Sequence, residues 1–422
     1  MRLSCCGVYI LPILILVLGE RGKCDDWPQL QGSQQTGISD EEGLAREWPP
    51  TGPRLLWSRP VGLGYGGPSV GDGEVYLLDR VDDEKDVLRC LDIVSGEQLW
   101  EYANDVPGRL SHNGSRGVPT VGTEYVAAVG PFGDIYCLHR KNRKQVWHRH
   151  LLKDFAKDPP QFGYAQSPLL YKKSVIVCPA SEKAGMVAIE QSTGKVLWQS
   201  EPFGTKGYVS PRLTRFAGVD GILCVTEQAT CCIDPKSGSM LWRFAGYNPV
   251  QPVPFPTVIG DGRFFVTAAD DAGSVMIRVT RRDDQFSVSE VFRLDEFGAQ
   301  IHPPICYQEH IYGKFFTYDD AKKLVSRMVC FDLDGNIMWQ TGEEGKLDRG
   351  HLIIANGMIF SLDAQSGMLT LAAATPNGYR ELATAKVLEV KSNGAIAPMA
   401  LSNGKLVIRD QHEIRCLDVS VQ

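Results

Sequence analysis

Short apolar runs separated by polar turns extend along most of the chain, from about residue 53 to residue 420. Runs of four to eight apolar residues bounded by Gly, Asp, Asn and Ser are typical of β-strands. The sequence contains 43 Gly and 25 Pro, and they are spread out rather than clustered. Dispersed turn residues between short apolar runs indicate an all-β protein.

One segment of this pattern repeats with nearly constant spacing. A small residue is followed ten positions later by tryptophan in four copies, which are Cys90–Trp100, Cys137–Trp147, Ala188–Trp198 and Cys232–Trp242. A fifth copy, Cys330–Trp339, is one residue shorter. Most copies have a Ser/Thr-Gly pair between the two positions, and glycine adopts the positive φ that a tight turn needs. Each copy therefore predicts a β-hairpin whose return strand ends in an aromatic residue.

A second segment, which begins with proline and has a Gly, Asp or Asn turn, precedes each hairpin, as in Pro68–Tyr76 and Pro256–Phe264. Together the two segments predict four strands per unit, and repeats of this length are typical of propeller blades. Eight units follow one another, at residues 68–104, 117–151, 166–202, 209–247, 254–294, 301–343, 350–388 and 395–420. The tryptophan position is occupied by Phe292 in the fifth unit and is assigned to Leu388 in the seventh.

The eighth unit ends near Asp418, before its last strand can begin. The missing strand is present near the start of the chain, in residues 53–61 with Trp57. We therefore predict an all-β, eight-bladed β-propeller in which the N-terminal strand completes the last blade. Closing the ring in this way removes an unpaired sheet edge.

The first 24 residues predict a signal peptide, because basic Arg2 precedes an apolar stretch too short to span a bilayer comfortably. An uncleaved membrane anchor is the alternative. The predicted organisation is a signal peptide (1–24), an N-terminal segment (25–52) and a single propeller (53–422). We expect an extracytoplasmic protein, periplasmic or secreted, that is monomeric and has no transmembrane segment after the signal.

Charge and cysteine content narrow the functional classes. The formal net charge of −6 provides no cationic field for nucleic acid. Five of the 12 cysteines occupy the repeated small position, namely Cys90, Cys137, Cys232, Cys330 and Cys416. Equivalent positions in different blades should lie too far apart for a disulfide. We therefore expect these cysteines to be buried strand residues.

The blade pattern resembles the PQQ-like repeat (pyrroloquinoline quinone repeat) of the quinoprotein alcohol dehydrogenase-like superfamily. The segment Asp26-Trp27-Pro28-Gln29 is similar to the start of secreted PQQ-binding-like propellers, and the resemblance covers about residues 25–420. It implies the fold but not catalysis, because one fold hosts many functions. The superfamily includes PQQ dehydrogenases, which use Ca²⁺ and a general-base Asp, and non-catalytic propellers similar to BamB. The pair Cys231-Cys232 resembles a vicinal disulfide of some alcohol dehydrogenases, but it also fits an ordinary strand.

A candidate site follows from propeller geometry, since the segments entering each first strand converge on one face. Seven residues just before first strands carry cationic or aromatic side chains, namely His112, Arg116, Tyr164, Tyr208, His302, Arg349 and His351. Together they would bind an anionic or aromatic ligand at the mouth of the central channel. The alternative is that each is an isolated polar residue bonded to nearby carbonyls.

The predicted function is that of a non-catalytic binding or scaffold protein, with a protein or polymer partner of unknown identity. We predict no catalytic residue, no metal ligand and no cofactor. The alternative is a PQQ-dependent dehydrogenase that oxidises an alcohol or sugar with PQQ and Ca²⁺. That alternative requires a carboxylate base near the quinone, for which Asp72, Asp134 and Asp270 are the candidates.

Overall fold

The structure is a computed structural model that describes residues 26–155, 160–206, 208–269, 272–318, 324–342, 347–391 and 394–421. The predicted signal peptide lies outside these residues. Eight sheets follow one another along the chain, each with four antiparallel strands and one with a fifth, parallel strand. The first strands of the sheets pack side by side around a common axis. The chain therefore folds as an eight-bladed β-propeller, which confirms the predicted fold class.

The first four blades are formed by consecutive strands. Blade 1 contains β3 (Ser69–Gly71), β4 (Glu74–Val81), β5 (Lys85–Asp92) and β6 (Gln98–Asp105); blade 2 contains β7 (Thr120–Val121), β8 (Tyr125–Val129), β9 (Asp134–His139) and β10 (Lys144–His150). Blade 3 contains β11 (Leu169–Tyr171), β12 (Ser174–Val177), β13 (Val187–Glu190) and β14 (Val196–Gln199); blade 4 contains β15 (Arg212–Phe216), β16 (Val219–Val225), β17 (Thr230–Ile233) and β18 (Met240–Phe244). A short helix, α1 (Leu151–Phe155), follows blade 2.

The next three blades repeat this order. Blade 5 contains β19 (Thr257–Gly260), β20 (Arg263–Thr267), β21 (Ser274–Arg282) and β22 (Gln285–Leu294); blade 6 contains β23 (Ile305–Tyr307), β24 (His310–Tyr318), β25 (Leu324–Asp332) and β26 (Ile337–Gln340). Blade 7 contains β27 (Leu352–Ala355), β28 (Met358–Leu362), β29 (Met368–Ala373) and β30 (Glu381–Lys386), and β1 (Ile38–Ser39) adds to it parallel to β27. Blade 8 begins with β31 (Ala400–Ser402), β32 (Lys405–Arg409) and β33 (Glu413–Asp418).

The last blade is completed from the start of the chain. Strand β2 (Arg54–Pro60) pairs antiparallel with β33, and Trp57 lies opposite Cys416. This is the predicted closure, and it gives β33 a hydrogen-bonded neighbour on both sides.

The repeated hairpin residues form the contacts between blades. Cys90 faces Trp100 across its hairpin, and Cys416 faces Trp57 in the same way. The Trp57 indole donates a 2.9 Å hydrogen bond to the Ile93 carbonyl of blade 1. Gly96 lies against the same ring with φ of 68°, and a Cβ there would be 2.4 Å from the indole Cδ2. Glycine is needed at this turn both for its backbone conformation and for the close approach of the tryptophan.

The same interaction occurs at other interfaces. Indole groups donate to carbonyls of the next blade at Trp147 to Gln191, Trp198 to Pro235 and Trp339 to Thr375. The nine cysteines of the described chain are free thiols, and eight of them are buried. The five at the repeated position are thus buried strand residues, as predicted.

The seventh blade departs from the sequence-based assignment. Leu371 occupies the repeated small position and pairs with Ala383, whereas Leu388 lies beyond the end of β30. The assignment of Leu388 was wrong because the paired position holds Ala383, a small residue that the tryptophan pattern does not mark, and because the turn between β29 and β30 is longer than in the other hairpins. No helix in the described ranges has the length and apolarity needed to cross a lipid bilayer.

Candidate functional site

The connections between successive blades surround a central cavity of about 530 Å³. All eight connections contribute side chains to its lining. These include Tyr65, His112, Arg116, Phe162, Tyr208, Gln251, Gln300, His302, Arg349 and Ile396. The volume lies in the range of small-molecule sites, so the cavity is the candidate site.

Five of the seven residues singled out from the sequence line this cavity, namely His112, Arg116, Tyr208, His302 and Arg349. The other two lie elsewhere. Tyr164 is 1% exposed and packs in the core with Leu151 and Phe155. His351 is fully buried behind His302, with ring centroids 4.8 Å apart. Ala165 and Arg349 of the same two linkers do line the cavity, whereas the Tyr164 and His351 side chains point into the core.

Arg116 is held rigidly at the cavity wall. Its Nη1 donates to the Gly114 carbonyl at 2.6 Å, and its Nη2 donates to the His112 carbonyl. The guanidinium also lies over the Tyr65 ring, 5.4 Å from the centroid, a cation–π arrangement. Burial lowers the pKa of Arg116 to about 10, although the phenols of Tyr65 and Tyr208 act in the opposite direction. Within the described chain, no carboxylate lies within ion-pair distance of this guanidinium.

Aromatic rings form a second side of the cavity. The Phe162 ring lies 6.0 Å from the His112 ring and 6.0 Å from the Tyr208 ring. Burial raises the pKa of Tyr208, so its phenol is neutral near pH 7. This side provides flat apolar surface beside the Arg116 cation.

Two imidazoles meet on the opposite side, between blades 5 and 7. His302 Nε2 lies 2.9 Å from the Ile396 carbonyl oxygen and therefore carries the proton. His351 Nδ1 accepts the Met399 N–H at 3.1 Å, which leaves Nε2 protonated, buried and without a partner among the residues that the structure describes. Burial lowers the pKa of His302 to about 3 and lowers that of His351 as well. Both rings are thus neutral at ordinary pH.

The cavity lining is cationic and amidic. Arg116 and Arg349 supply positive charge, and Gln251, Gln300 and Gln365 supply amide groups. Arg349 forms a 3.3 Å ion pair with the adjacent Asp348. The residues described as lining the cavity include no Asp or Glu. An anionic ligand with an aromatic or otherwise flat body would complement this lining.

The lining does not fit the PQQ and Ca²⁺ pair of the dehydrogenases. Ca²⁺ takes six to eight oxygen ligands, with carboxylates prominent among them, and the described lining offers only neutral oxygens. Asp72 lies in the exposed turn between β3 and β4 and pairs with Arg140 at 2.9 Å. Asp134 lies 2.6 Å from His148 Nε2, on the third strand of blade 2. Asp270 lies outside the described residues.

The vicinal cysteines are also remote from the cavity lining. Cys231 and Cys232 are free and lie on β17, opposite Arg243 and Trp242. The structure therefore supports the interpretation that Cys231 and Cys232 are ordinary strand residues.

Several lining residues were not singled out from the sequence. Tyr65, Phe162 and Gln300 stand in linkers of unequal length, where the repeat gives no alignment. Lys314 lines a small space beside the cavity. Lys314 could have been recognised as a charged residue at a position that is apolar in most blades. That comparison requires the strand register of all eight blades.

Taken together, the molecule is an eight-bladed propeller with a cationic, aromatic cavity at its axis. The family model of the outer membrane protein assembly factor BamB matches residues 38–212 and 183–284, which together span more than half of the chain. The chain therefore belongs to this family of PQQ-like repeat propellers. A search of curated proteins finds no match.

Solved structures with the same fold include enzymes and a BamB protein. A europium-containing methanol dehydrogenase is 12% identical, with a TM-score of 0.66 over 91% of this chain and 89% of the other. The quinohemoprotein alcohol dehydrogenase from Comamonas testosteroni is 13% identical, with a TM-score of 0.64 over 94% and 81%. BamB from Moraxella catarrhalis is 13% identical, with a TM-score of 0.59 over 86% and 96%. At such identities the likeness concerns the fold alone.

Proposed function

We propose that the chain is a non-catalytic binding or scaffold protein of an extracytoplasmic compartment, whose central cavity takes an anionic ligand with a flat or aromatic body. The observation that carries the proposal is the pairing of a half-buried cation, Arg116, and an exposed cation, Arg349, with aromatic rings in a lining without described carboxylates. The ligand is a small molecule or an acidic segment of a protein or polymer partner. The proposal also includes export of the chain by a signal peptide at residues 1–24. An N-terminal segment at residues 25–52 and a single propeller at residues 53–422 would follow it.

Arg116 is central to this proposal because its charge has no carboxylate partner in the described chain. Partial burial of a cation without an anion is unfavourable, and a ligand carboxylate would supply the missing charge. A bond between a cation and a carboxylate contributes about 1.5–3 kcal/mol. The free energy would be gained on binding rather than on folding.

The test is a thermal-shift and calorimetric titration of the purified protein with two planar polycarboxylates, PQQ and benzene-1,3-dicarboxylate, each with and without Ca²⁺. We expect Ca²⁺-independent binding and no dye-linked oxidation of alcohols or sugars. A ligand at 100 times its Kd should add about 2.7 kcal/mol to the free energy of unfolding. Binding that requires Ca²⁺ and supports dye reduction would instead establish the dehydrogenase.

The matched variants are Arg116→Gln and Arg281→Gln. Arg281 lies on the outer part of blade 5 and pairs with Asp284, so it reports general effects of removing an arginine. We expect Arg116→Gln to weaken carboxylate binding at least about tenfold, which corresponds to 1.4 kcal/mol, and Arg281→Gln to leave it unchanged. Equal affinities in both variants would refute the assignment of the site.

A further inference from the structure

One position of the repeat carries a charge in two blades and no charge in the other six. In the second strand of each blade, one residue lies opposite the repeated small position, and the residue two places further on is buried. The residues at this buried position in blades 1 to 8 are Leu78, Val129, Cys178, Val225, Thr267, Lys314, Leu362 and Arg409. A buried cation where the fold accepts leucine or valine is unfavourable for stability, so Lys314 and Arg409 need another explanation.

Both cations keep an N–H without an acceptor in the described chain, and they differ in whether they lie beside the central cavity. Arg409 Nε donates to the Asp410 carbonyl at 2.7 Å, and its Nη2 donates to the Gly62 carbonyl at 2.9 Å. It is not among the residues that line the central cavity. Lys314 Nζ donates to the carbonyls of Asp348 at 3.0 Å and Leu362 at 2.6 Å. An ammonium has three donors, so one N–H of Lys314 has no assigned acceptor in the described chain.

Lys314 lies at a small recess beside the central cavity. The recess has a volume of about 10 Å³ and is lined by Gln300, His302, Lys314 and Arg349 among others. Gln300, His302 and Arg349 also line the central cavity, so the two spaces adjoin. The recess is about the size needed for one water molecule. The buried Oε1 of Gln300 has no hydrogen-bond partner in the described chain. Because an amide oxygen only accepts, a 180° rotation of this amide is needed for its NH2 group to donate to a carboxylate oxygen in the recess.

We propose that this recess seats one carboxylate oxygen of the ligand that fills the central cavity, with Lys314 and Arg349 as its cationic donors. The inference rests on the proposed function and deepens it, since it gives the ligand a terminal carboxylate and an orientation toward blades 6 and 7. A planar carboxylate can place one oxygen in a water-sized space while the other oxygen stays in the main cavity beside Arg349.

Proton linkage provides a readout that a purely structural lysine would not give. Burial lowers the pKa of Lys314 to about 7, against the attraction of Asp363 and Asp348. The facing imidazoles of His302 and His351 stay neutral above pH 6 because burial lowers their pKa values. A bound carboxylate favours the ammonium. Above about pH 7 binding must therefore take up a proton, and the affinity should fall about tenfold per pH unit.

The experiment is isothermal titration of the full protein with benzene-1,3-dicarboxylate from pH 6 to 9, in buffers of different ionisation enthalpy, with the neutral diamide as control ligand. We expect uptake of about one proton per ligand at pH 8 and no binding of the diamide. Lys314→Met should bind at least about tenfold more weakly and lose the pH dependence. If Lys314→Met does not fold, Arg349→Gln and the proton uptake of the unaltered protein decide the question, because the Arg349 side chain is 41% exposed and its replacement should not prevent folding.

The outcomes separate the two proposals. Binding that does not change from pH 6 to 9, and that Lys314→Met and Arg349→Gln leave intact, would overturn the recess but leave the central cavity as a binding site. Failure of the unaltered protein to bind either PQQ or the dicarboxylate would overturn both.

Discussion

The interfaces between blades and the mouth of the central channel are built on opposite principles. At the interfaces one set of residues recurs, as at Trp57, Cys416 and Gly96, and the indole N–H groups mostly reach a carbonyl of the next blade. At the mouth the lining combines arginine, histidine, tyrosine and glutamine side chains from different linkers. Arg349 pairs with the adjacent Asp348, whereas Arg116 has no carboxylate partner in the described chain.

This difference separates the residues that stabilise the folded ring from the residues that the ring offers for ligand binding. Neutral packing with satisfied hydrogen bonds favours folding, whereas buried cations and orphaned polar atoms cost free energy. Residues that weaken the fold in this way are expected at functional sites. The sites of stability and of binding in this propeller should therefore respond to different perturbations.

The largest expected effect is a loss of stability in acid that originates at the mouth. In the folded protein His302 has a pKa of about 3, whereas an unfolded histidine has a pKa of about 6.5. The unfolded chain therefore binds more protons between these values, and stability present above pH 6.5 is lost as the pH falls toward 3. His302 alone should remove about 3 kcal/mol between pH 7 and pH 4, as measured by denaturant unfolding across that range.

The matched variants for this prediction are His302→Gln and His112→Gln. His302→Gln should flatten the dependence of the unfolding free energy on pH, while His112→Gln should not, because His112 is exposed. The comparison between mouth and interface would fail if the two variants showed the same slope as the unaltered protein. His351 should contribute in the same direction, since burial also lowers its pKa.

The next effect concerns the interface and uses two glycines with the same backbone conformation. Gly96 and Gly357 both have φ of 68°, but an added Cβ meets the Trp57 ring only at Gly96 and has open space at Gly357. Ala at either position should lose about 1 kcal/mol for the positive φ. Gly96→Ala should lose about 2 kcal/mol more because of overpacking. If urea unfolding showed the same loss of unfolding free energy for Gly96→Ala and Gly357→Ala, glycine would be needed at position 96 only for its backbone conformation.

The interface could be predicted from the sequence because its residues repeat at fixed spacing. The Cys–Trp pairs and the turn glycines gave the number of blades, and the missing strand after Asp418 gave the closure by residues 53–61. The prediction failed at Leu388, where a longer turn moved Ala383 to the paired position. A fixed spacing carries no information about a turn of unusual length.

The mouth was harder to predict because its residues come from eight linkers of different lengths. Five of the seven residues chosen because they precede a first strand do line the cavity. The same criterion could not distinguish His302, which lines the cavity, from His351, which is buried behind it. Phe162 and Lys314 were missed for different reasons. Phe162 has no repeat equivalent, and the charge of Lys314 stands out only when all eight second strands are aligned by their pairing.

The smallest expected effect tests whether the indole hydrogen bonds contribute to the interfaces beyond packing. Trp57 and Trp100 are 5% and 8% exposed and occupy the same repeat position. Trp57 Nε1 donates to the Ile93 carbonyl, whereas Trp100 Nε1 is buried with no partner in the described chain. Trp57→Phe therefore removes a hydrogen bond and leaves a carbonyl with fewer donors, while Trp100→Phe removes an unsatisfied donor. Denaturant unfolding should show a cost about 1 kcal/mol larger for Trp57→Phe. Equal costs would mean that the ring interfaces are held by apolar packing alone, and the contrast with the mouth would then lie in charge rather than in hydrogen bonding.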